Sequence, residues 1–105
     1  MVIVETHVFT ARIRELLSDD DYRCLQNELV VRPDRGAIIR GTGGLRKVRW
    51  SGSGRGKRGG IRVIYYWLVP GDRLLMLLAY PKSEQDDLSP RQRMLLRRVV
   101  ETEYP

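Results

Sequence analysis

The sequence predicts a single α+β domain over residues 1–105, with N-terminal helices and a C-terminal helix packed on a twisted antiparallel sheet. The hydrophobic periodicity changes along the chain in the order β, α, α, β, β, β, α. Short connections separate the three consecutive strands, which favours an antiparallel meander. The length of 105 residues, 42% of them apolar, matches one domain with a single modest core.

The first third of the chain predicts a strand followed by two helices. Residues 2–8 alternate apolar and polar side chains, as in a strand, and residues 9–17 place apolar side chains at helical spacing. Ser18 then precedes three aspartates, and both a serine oxygen and negative charge stabilise a helix N-terminus. We expect the second helix to begin there and to end before Pro33.

The rest of the chain predicts three strands and a helix. Residues 45–50 and 61–69 alternate as strands, and residues 74–80 form an almost continuous apolar run, typical of a central strand buried on both faces. Ser89 and Pro90 supply a capping serine and a proline at the first helical position. The apolar residues of this helix are expected to pack on the sheet: Met94, Leu95, Leu96, Val99 and Val100.

Cysteine usage and hydropathy exclude several classes of protein. The one cysteine, Cys24, excludes an internal disulfide framework and a cysteine-based zinc site, and we expect neither a metal nor a cofactor. The only histidine, His7, has no evident link to Cys24, so a nucleophilic cysteine is disfavoured. No apolar run reaches the length of a membrane span, and the N-terminus lacks a secretory-signal pattern, so we expect a cytoplasmic protein with no membrane partner.

The positive charge is concentrated in one block. The net charge is +6, and residues 35–71 contain nine basic residues and no acidic ones. Such a block favours binding to a polyanion, most simply nucleic acid, whereas the alternative is a solvated, solubilising surface. Glycines and apolar strands interrupt the block, which indicates a folded segment and not a disordered tail.

The glycine-rich segment at residues 51–60 contains a G-x-G-x-x-G pattern. A dinucleotide site needs a helix after those glycines, but a strand is predicted there, and the segment also lacks the spacing and the hydroxyl residue of a P-loop. We therefore predict a long hairpin loop that presents Arg55, Lys57 and Arg58 to phosphate. The alternative is a polar connection with incidental charge.

Two further groups are candidates for phosphate chemistry. Arg62 could project its guanidinium onto a phosphate or lie solvated at a sheet edge. Lys82 and Glu84, after the apolar strand, could act as acid and base if a phosphate lay between them, although an ordinary polar loop would look the same. RNA can be cleaved through its own 2′-hydroxyl without a metal. In a chain without a histidine pair, Arg and Lys must supply the charge, with Glu or Tyr as proton carriers.

Several stretches resemble the HigB branch of the RelE/ParE superfamily of bacterial type II toxin–antitoxin proteins, and the similarity in length and element order covers nearly the whole chain. The stretches are GTGGLRKVR at 41–49, GKRGGIRVIYY at 56–66, LLAYPKSE at 77–84 and DLS at 87–89.

The resemblance implies the RelE-like fold and an mRNA endonuclease that cuts codons in the ribosomal A site and so inhibits translation. It also implies a cognate antitoxin, often a HigA-like helix-turn-helix protein, that neutralises the toxin and joins it in repressing operator DNA.

The resemblance also implies roles for individual residues. Arg62 corresponds to the strand arginine that contacts the scissile phosphate, and Lys82 falls on the basic motif after the last strand. Arg46 and Lys47 fall near positions that hold RNA. The family pattern has an arginine where this chain has Ser83 and a tyrosine where it has Ser89, so the tyrosine's proton-transfer role is not carried over. Glu84 is assigned as the base on chemical grounds alone.

Two other functions stay open at this point. A ParE-like member of the same superfamily would inhibit DNA gyrase without enzymatic activity, and a nucleic-acid-binding module would bind without cleaving. Arg62 and the Lys82–Glu84 pair favour the endonuclease, but the fold cannot decide because function resides in the site.

Overall fold

A computed structural model describes residues 1–51 and 60–103, which form three helices and a five-stranded sheet. The strands lie in the order β1-β5-β4-β3-β2, so β4 is central and β5 is covered on both edges. The elements are β1 (Val2–Glu5), α1 (His7–Leu16), α2 (Asp19–Val31), β2 (Ala37–Ile38), β3 (Leu45–Trp50), β4 (Ile61–Leu68), β5 (Arg73–Pro81) and α3 (Pro90–Glu103).

The first strand is shorter than the alternation predicted, and His7 and Val8 belong to α1. The Oγ1 atom of Thr6 accepts a hydrogen bond from the backbone N–H of Phe9 at 3.0 Å, which caps the helix and stops the strand at Glu5. The expectation of a strand through residue 8 was wrong because the capping threonine overrides the alternation. The second helix does begin after Ser18, whose Oγ accepts from the backbone N–H of Asp21.

The sheet is mostly antiparallel, with one parallel pair. β3 pairs with β4 and β4 with β5 in antiparallel register, as the predicted meander requires. β1 pairs in parallel with β5, which the sequence did not predict; no hairpin joins these two strands, so no tight turn imposes an antiparallel direction. The two-residue strand β2 was also missed, because two residues are too few to show alternation.

A register shift in β5 determines which side chains share a face. Ile64 pairs with Leu78 and Tyr65 with Met76, so Leu77 is an extra residue in β5. The extra residue reverses the alternation of β5, and Tyr80 therefore lies on the same face as Ile64. This bulge therefore directs the Tyr80 side chain, at the end of β5, to the face of the sheet that carries Arg62.

Helices cover both faces of the sheet. α1 and α2 pack on one face through Phe9, Ile13, Leu25 and Leu29, and α3 packs on the other through Leu96 and Val100. Three residues of α3 that were expected to pack on the sheet, Met94, Leu95 and Val99, are exposed. Leu96 and Val100 are one helical turn apart and take the inward face, so the others point outward.

Candidate functional site

Three cations lie on the α3 face of the sheet near one of its ends. In the strand register Arg62 lies opposite Arg49 of β3 on one side and Tyr80 of β5 on the other. Lys47 is two residues before Arg49 in β3, so the strand period places it on the same face. We call Lys47, Arg49 and Arg62 the basic cluster. The alternation predicted for β3 and β4 is confirmed, and this is why the cluster forms.

Two adjacent carboxylates lie against the basic cluster. Arg62 donates from Nε and Nη2 to Oδ1 of Asp86 at 3.1 and 2.9 Å. Lys47 forms an ion pair with Oδ1 of Asp87 and donates to the backbone oxygen of Asp86 at 3.3 Å. We call Asp86 and Asp87 the acidic pair.

The two cations bound by the acidic pair are shielded from solvent, whereas Arg49 and both carboxylates are exposed. The Arg62 side chain is 4% exposed and that of Lys47 is 14% exposed, whereas Asp86 and Asp87 are 55% and 65% exposed. The hydrogen bonds that Arg62 donates lower the pKa of Asp86. The positive charges of Lys47 and Arg49 lower it by smaller amounts. Asp86 is therefore ionised at neutral pH, and the acidic pair forms an anionic cover over the two buried cations.

Tyr80 supports the loop that carries the acidic pair. Its side chain is 1% exposed, and its hydroxyl lies 3.4 Å from the backbone oxygen of Asp86, to which it donates. Burial, together with a smaller contribution from the negative charge of Asp87, raises the pKa of Tyr80 to about 12. The tyrosine is therefore neutral at physiological pH and acts as a hydrogen-bond donor.

The structure places Lys82 and Glu84 in the turn that follows β5. Lys82 is exposed, and its backbone N–H donates to the oxygen of Gly60 at 3.1 Å, so the turn is tied to the start of β4. Glu84 forms an ion pair with Arg12 of α1, in which 2.5 Å separate Nη2 of Arg12 from Oε1 of Glu84. Because α1 covers the opposite face of the sheet from α3, this contact draws Glu84 toward the α1 side. The acid and base roles of the two residues stay predictions.

Arg46 faces away from the basic cluster. Its Nη1 donates to the backbone oxygens of Gly36 at 2.8 Å and Asp34 at 3.2 Å, so it fixes the connection between α2 and β2. Its predicted contact with RNA remains a prediction, and the structure gives this guanidinium an internal role.

The predicted phosphate-binding residues Arg55, Lys57 and Arg58 lie outside the described residues. What the structure does describe is the base of their segment, where Trp50 pairs with Ile61 in antiparallel register. Strand β4 therefore begins where a dinucleotide site would need a helix, which agrees with the exclusion of that site from the sequence.

Gly60 closes the base of this segment. It has a φ of +62°, and a Cβ at this position would lie 2.4 Å from the backbone oxygen of Trp50. Only glycine can therefore bring the two strands together here without displacing backbone. The same residue accepts the hydrogen bond from Lys82, so the glycine segment and the turn after β5 meet at this point.

Sequence reasoning missed the acidic pair as a partner of Arg62 and Lys47. A signal was available, because residues 86 and 87 follow the strand that pairs with the Arg62 strand. The reversal of alternation by the Leu77 bulge was not visible in an apolar run, so the carboxylates could not be assigned to the face of Arg62.

The described residues contain neither a metal-binding cluster nor a membrane-spanning helix. Across residues 1–51 and 60–103, the His, Cys, Asp and Glu side chains do not come together in threes as a metal site would require. None of the helices described for this chain has the length and apolar character needed to cross a membrane.

The arrangement of helices on both faces of a five-stranded, mostly antiparallel sheet is that of the RelE-like fold. One solved structure with this fold is that of the E. coli toxin RelE, a double arginine-to-alanine mutant in the free state. It is 13% identical in sequence, with a TM-score of 0.58 over 81% of this chain and 86% of that chain. At this identity the likeness defines the fold. No protein-family model matches the sequence.

Proposed function

We propose that this chain is the toxin of a type II toxin–antitoxin pair and an endoribonuclease that cleaves mRNA in the ribosomal A site. The observation that carries the proposal is the position of Arg62, which is 4% exposed and lies beside β3, the strand that presents Lys47 and Arg49 on the same face. A buried guanidinium in a cationic surface suits recognition of a phosphate diester. The likeness of the fold to a RelE toxin and the resemblance of the motifs support the same function.

The proposed reaction uses the 2′-hydroxyl of the substrate as the nucleophile. Attack of this oxygen on the adjacent phosphorus breaks the bond to the 5′-oxygen of the next nucleotide and leaves a 2′,3′-cyclic phosphate. A base takes the proton from the 2′-hydroxyl, and an acid returns one to the departing 5′-oxygen. In this scheme Arg62 and Lys82 stabilise the negative charge that builds up on the phosphorane.

Glu84 is the proposed base on chemical grounds. In the free protein its Oε1 is bound by Arg12, so proton transfer would use Oε2 or follow release of the ion pair. RNA-backbone contacts are assigned to Arg46, Lys47, Arg55, Lys57 and Arg58.

The proposed partners are the ribosome with its mRNA and a HigA-like antitoxin of the helix-turn-helix class. Operator DNA would be contacted only through the complex with this antitoxin. The site of action would be the cytoplasm, where translation takes place.

The test compares wild type with Arg62→Ala after induction in cells, with mapping of mRNA 5′ ends and analysis of plasmid supercoiling. The matched control is Arg23→Ala, which removes an exposed arginine on α2. The proposal requires in-frame mRNA cuts in the wild type and in the control, and their loss in Arg62→Ala. Intact mRNA together with altered DNA topology would contradict it and would point to the ParE-like inhibitor.

A further inference from the structure

The acidic pair and the two buried cations form an asymmetric cluster. Each cation is largely shielded from solvent, and the carboxylate bound to it lies outside and is more than half exposed. A phosphate arriving from solvent therefore meets the carboxylates before it meets Arg62 or Lys47. The two oxygens that these cations bind, one from each aspartate, stand where phosphate oxygens would have to bind.

The backbone of the acidic loop is fixed from several sides. Leu88, directly after the pair, is 4% exposed and packs in the α3-side core. Ser89 and Gln92 form reciprocal hydrogen bonds at the start of α3, with Gln92 Oε1 accepting from the Ser89 N–H at 2.9 Å and Ser89 Oγ accepting from the Gln92 N–H at 3.1 Å. Gln85 donates to the same Gln92 oxygen at 2.8 Å.

These anchors leave the carboxylates as the movable part of the loop. Rotation about the side-chain bonds of Asp86 and Asp87 can carry both groups into solvent without moving the backbone, because the side chains are exposed. The backbone oxygen of Asp86 would keep its hydrogen bond from Tyr80 during this movement.

We propose that Asp86 and Asp87 are a built-in counter-anion that occupies the phosphate-binding positions of Arg62 and Lys47 until RNA displaces it. The choice of RNA as the displacing anion rests on the proposed function. The pair weakens binding of free RNA, because every phosphate must compete with a carboxylate already in place. An mRNA positioned by a large assembly presents its phosphate at high effective concentration and overcomes that competition.

Asparagine substitutions separate this role from a structural one. Asp86→Asn keeps an Oδ1 acceptor for Arg62 and the volume of the side chain, removes the charge and replaces Oδ2 with an amide NH2. If the pair served solely to hold Arg62 in place, the substitution would leave RNA binding unchanged or weaken it. If the pair competes with phosphate, the substitution strengthens binding.

The experiment measures binding of a fluorescent 12-nucleotide 2′-O-methyl RNA, which lacks the attacking hydroxyl, by anisotropy at several salt concentrations. The variants are Asp86→Asn, Asp87→Asn and the double variant. The control is Asp20→Asn, which also removes an exposed, arginine-paired carboxylate but lies on α2. We expect each single variant to bind about three- to tenfold more tightly than the control at low salt, with a larger gain in the double variant. Affinities equal to or weaker than that of the control overturn the proposal.

A second measurement uses the wild-type chain. The Nε–H resonance of Arg62 in ¹⁵N NMR should shift when the same RNA is added, because the hydrogen bond to Asp86 is exchanged for one to phosphate. An Arg62 resonance that stays in place at saturating RNA overturns the proposal even if a variant does not fold.

A cleavage assay distinguishes failure of this inference from failure of the proposed function. Wild-type protein is added to ribosomes programmed with mRNA, and the RNA ends are mapped. If the wild type does not cut but the asparagine variants bind RNA more tightly, the nuclease function is wrong and the counter-anion stands. If the wild type cuts and the variants bind no more tightly, the nuclease function stands and the counter-anion is wrong.

Discussion

Arg62 directs two donors, Nε and Nη2, at a single carboxylate oxygen of Asp86, at 3.1 and 2.9 Å. Two donors on a rigid planar group fix the orientation of the guanidinium as well as its position. The side chain is 4% exposed, so the surrounding strands also restrict it. Arg62 is therefore oriented before any ligand binds, which lowers the entropic cost of binding a phosphate.

Replacing Arg62 with lysine keeps the charge and removes the planar pair of donors. We expect Arg62→Lys to lower the rate of mRNA cleavage on purified ribosomes by about 10²- to 10³-fold, because a preorganised donor to the transition state is lost. Primer extension on a defined mRNA measures the rate, and Arg23→Lys on α2 is the matched control. A rate within twofold of wild type would show that charge alone is sufficient at this position.

Replacing Lys47 with glutamine should weaken RNA binding without abolishing the fold. Lys47 is 14% exposed and pairs with Asp87 beside Arg62. If the chain binds RNA as proposed, loss of Lys47 removes one phosphate contact from the basic cluster. We expect the slope of log K against log salt to become shallower by about one unit. Arg14→Gln, an exposed change on α1, is the control and should leave the slope unchanged. If both variants give the same slope, Lys47 does not contact phosphate.

Strand alternation is a local property, so the sequence predicted which side chains share a face within each strand. It did not predict that Lys47, Arg49 and Arg62 come together, because this depends on the register between β3 and β4. The two-residue period placed Arg62 with Ile64, and Lys47 with Leu45 and Arg49, on common faces. The carboxylates that bind these cations could not be assigned in the same way. Their position depends on the extra residue in β5, which has no partner in β4, and an unbroken apolar run does not reveal it.

Local capping accounts for the main error at the N-terminus. The alternation of residues 2–8 predicted a strand, but Thr6 accepts a hydrogen bond from the N–H of Phe9 and starts a helix two residues before the strand should have ended. The parallel pairing of β1 with β5 adds the first strand of the chain to the β5 edge of the meander. No short-range pattern encodes such a pairing.

The assignment of Glu84 as a base is tested against its ion-pair partner. We expect Glu84→Gln to reduce single-turnover cleavage by about 10²-fold, as for loss of a general base. Arg12→Gln breaks the same ion pair from the other side and leaves the carboxylate in place, so it should retain most activity. Equal losses in the two variants would assign Glu84 a structural role through Arg12. If neither variant loses cleavage activity, Glu84 is not the base, and the carboxylates of the acidic pair become the candidates for this role.

Gly60 should tolerate no side chain. We expect Gly60→Ala to lower the free energy of unfolding by about 2 kcal/mol or more, because the φ of +62° and the approach of the Trp50 oxygen both oppose a Cβ. Gly41→Ala is a matched control, since Gly41 has a φ of +73° with no atom within 4 Å of the added carbon. Urea denaturation of both variants measures the difference. Equal destabilisation would mean that the contact with Trp50 contributes nothing beyond the φ angle.

Tyr80 should cause the free energy of unfolding to decrease at alkaline pH. Its pKa is raised from 10.0 to about 12 in the folded chain, chiefly by burial. The folded state therefore holds the phenolic proton more tightly than the unfolded state. The resulting stabilisation is complete below pH 10 and is lost as the pH rises from 10 toward 12. The wild type should become progressively easier to unfold over this range.

Tyr80→Phe isolates this effect. At pH 8 the variant should lose about 1 kcal/mol, because the hydroxyl donates one long hydrogen bond to the Asp86 oxygen. Burial also raises the pKa of Tyr22 and Tyr65, so the variant will still lose stability in alkali, but less steeply than the wild type. Urea midpoints between pH 8 and 12 measure the two curves. Curves that run parallel throughout would show that Tyr80 titrates alike in the folded and unfolded states, and that its hydroxyl is not shielded beneath the acidic loop.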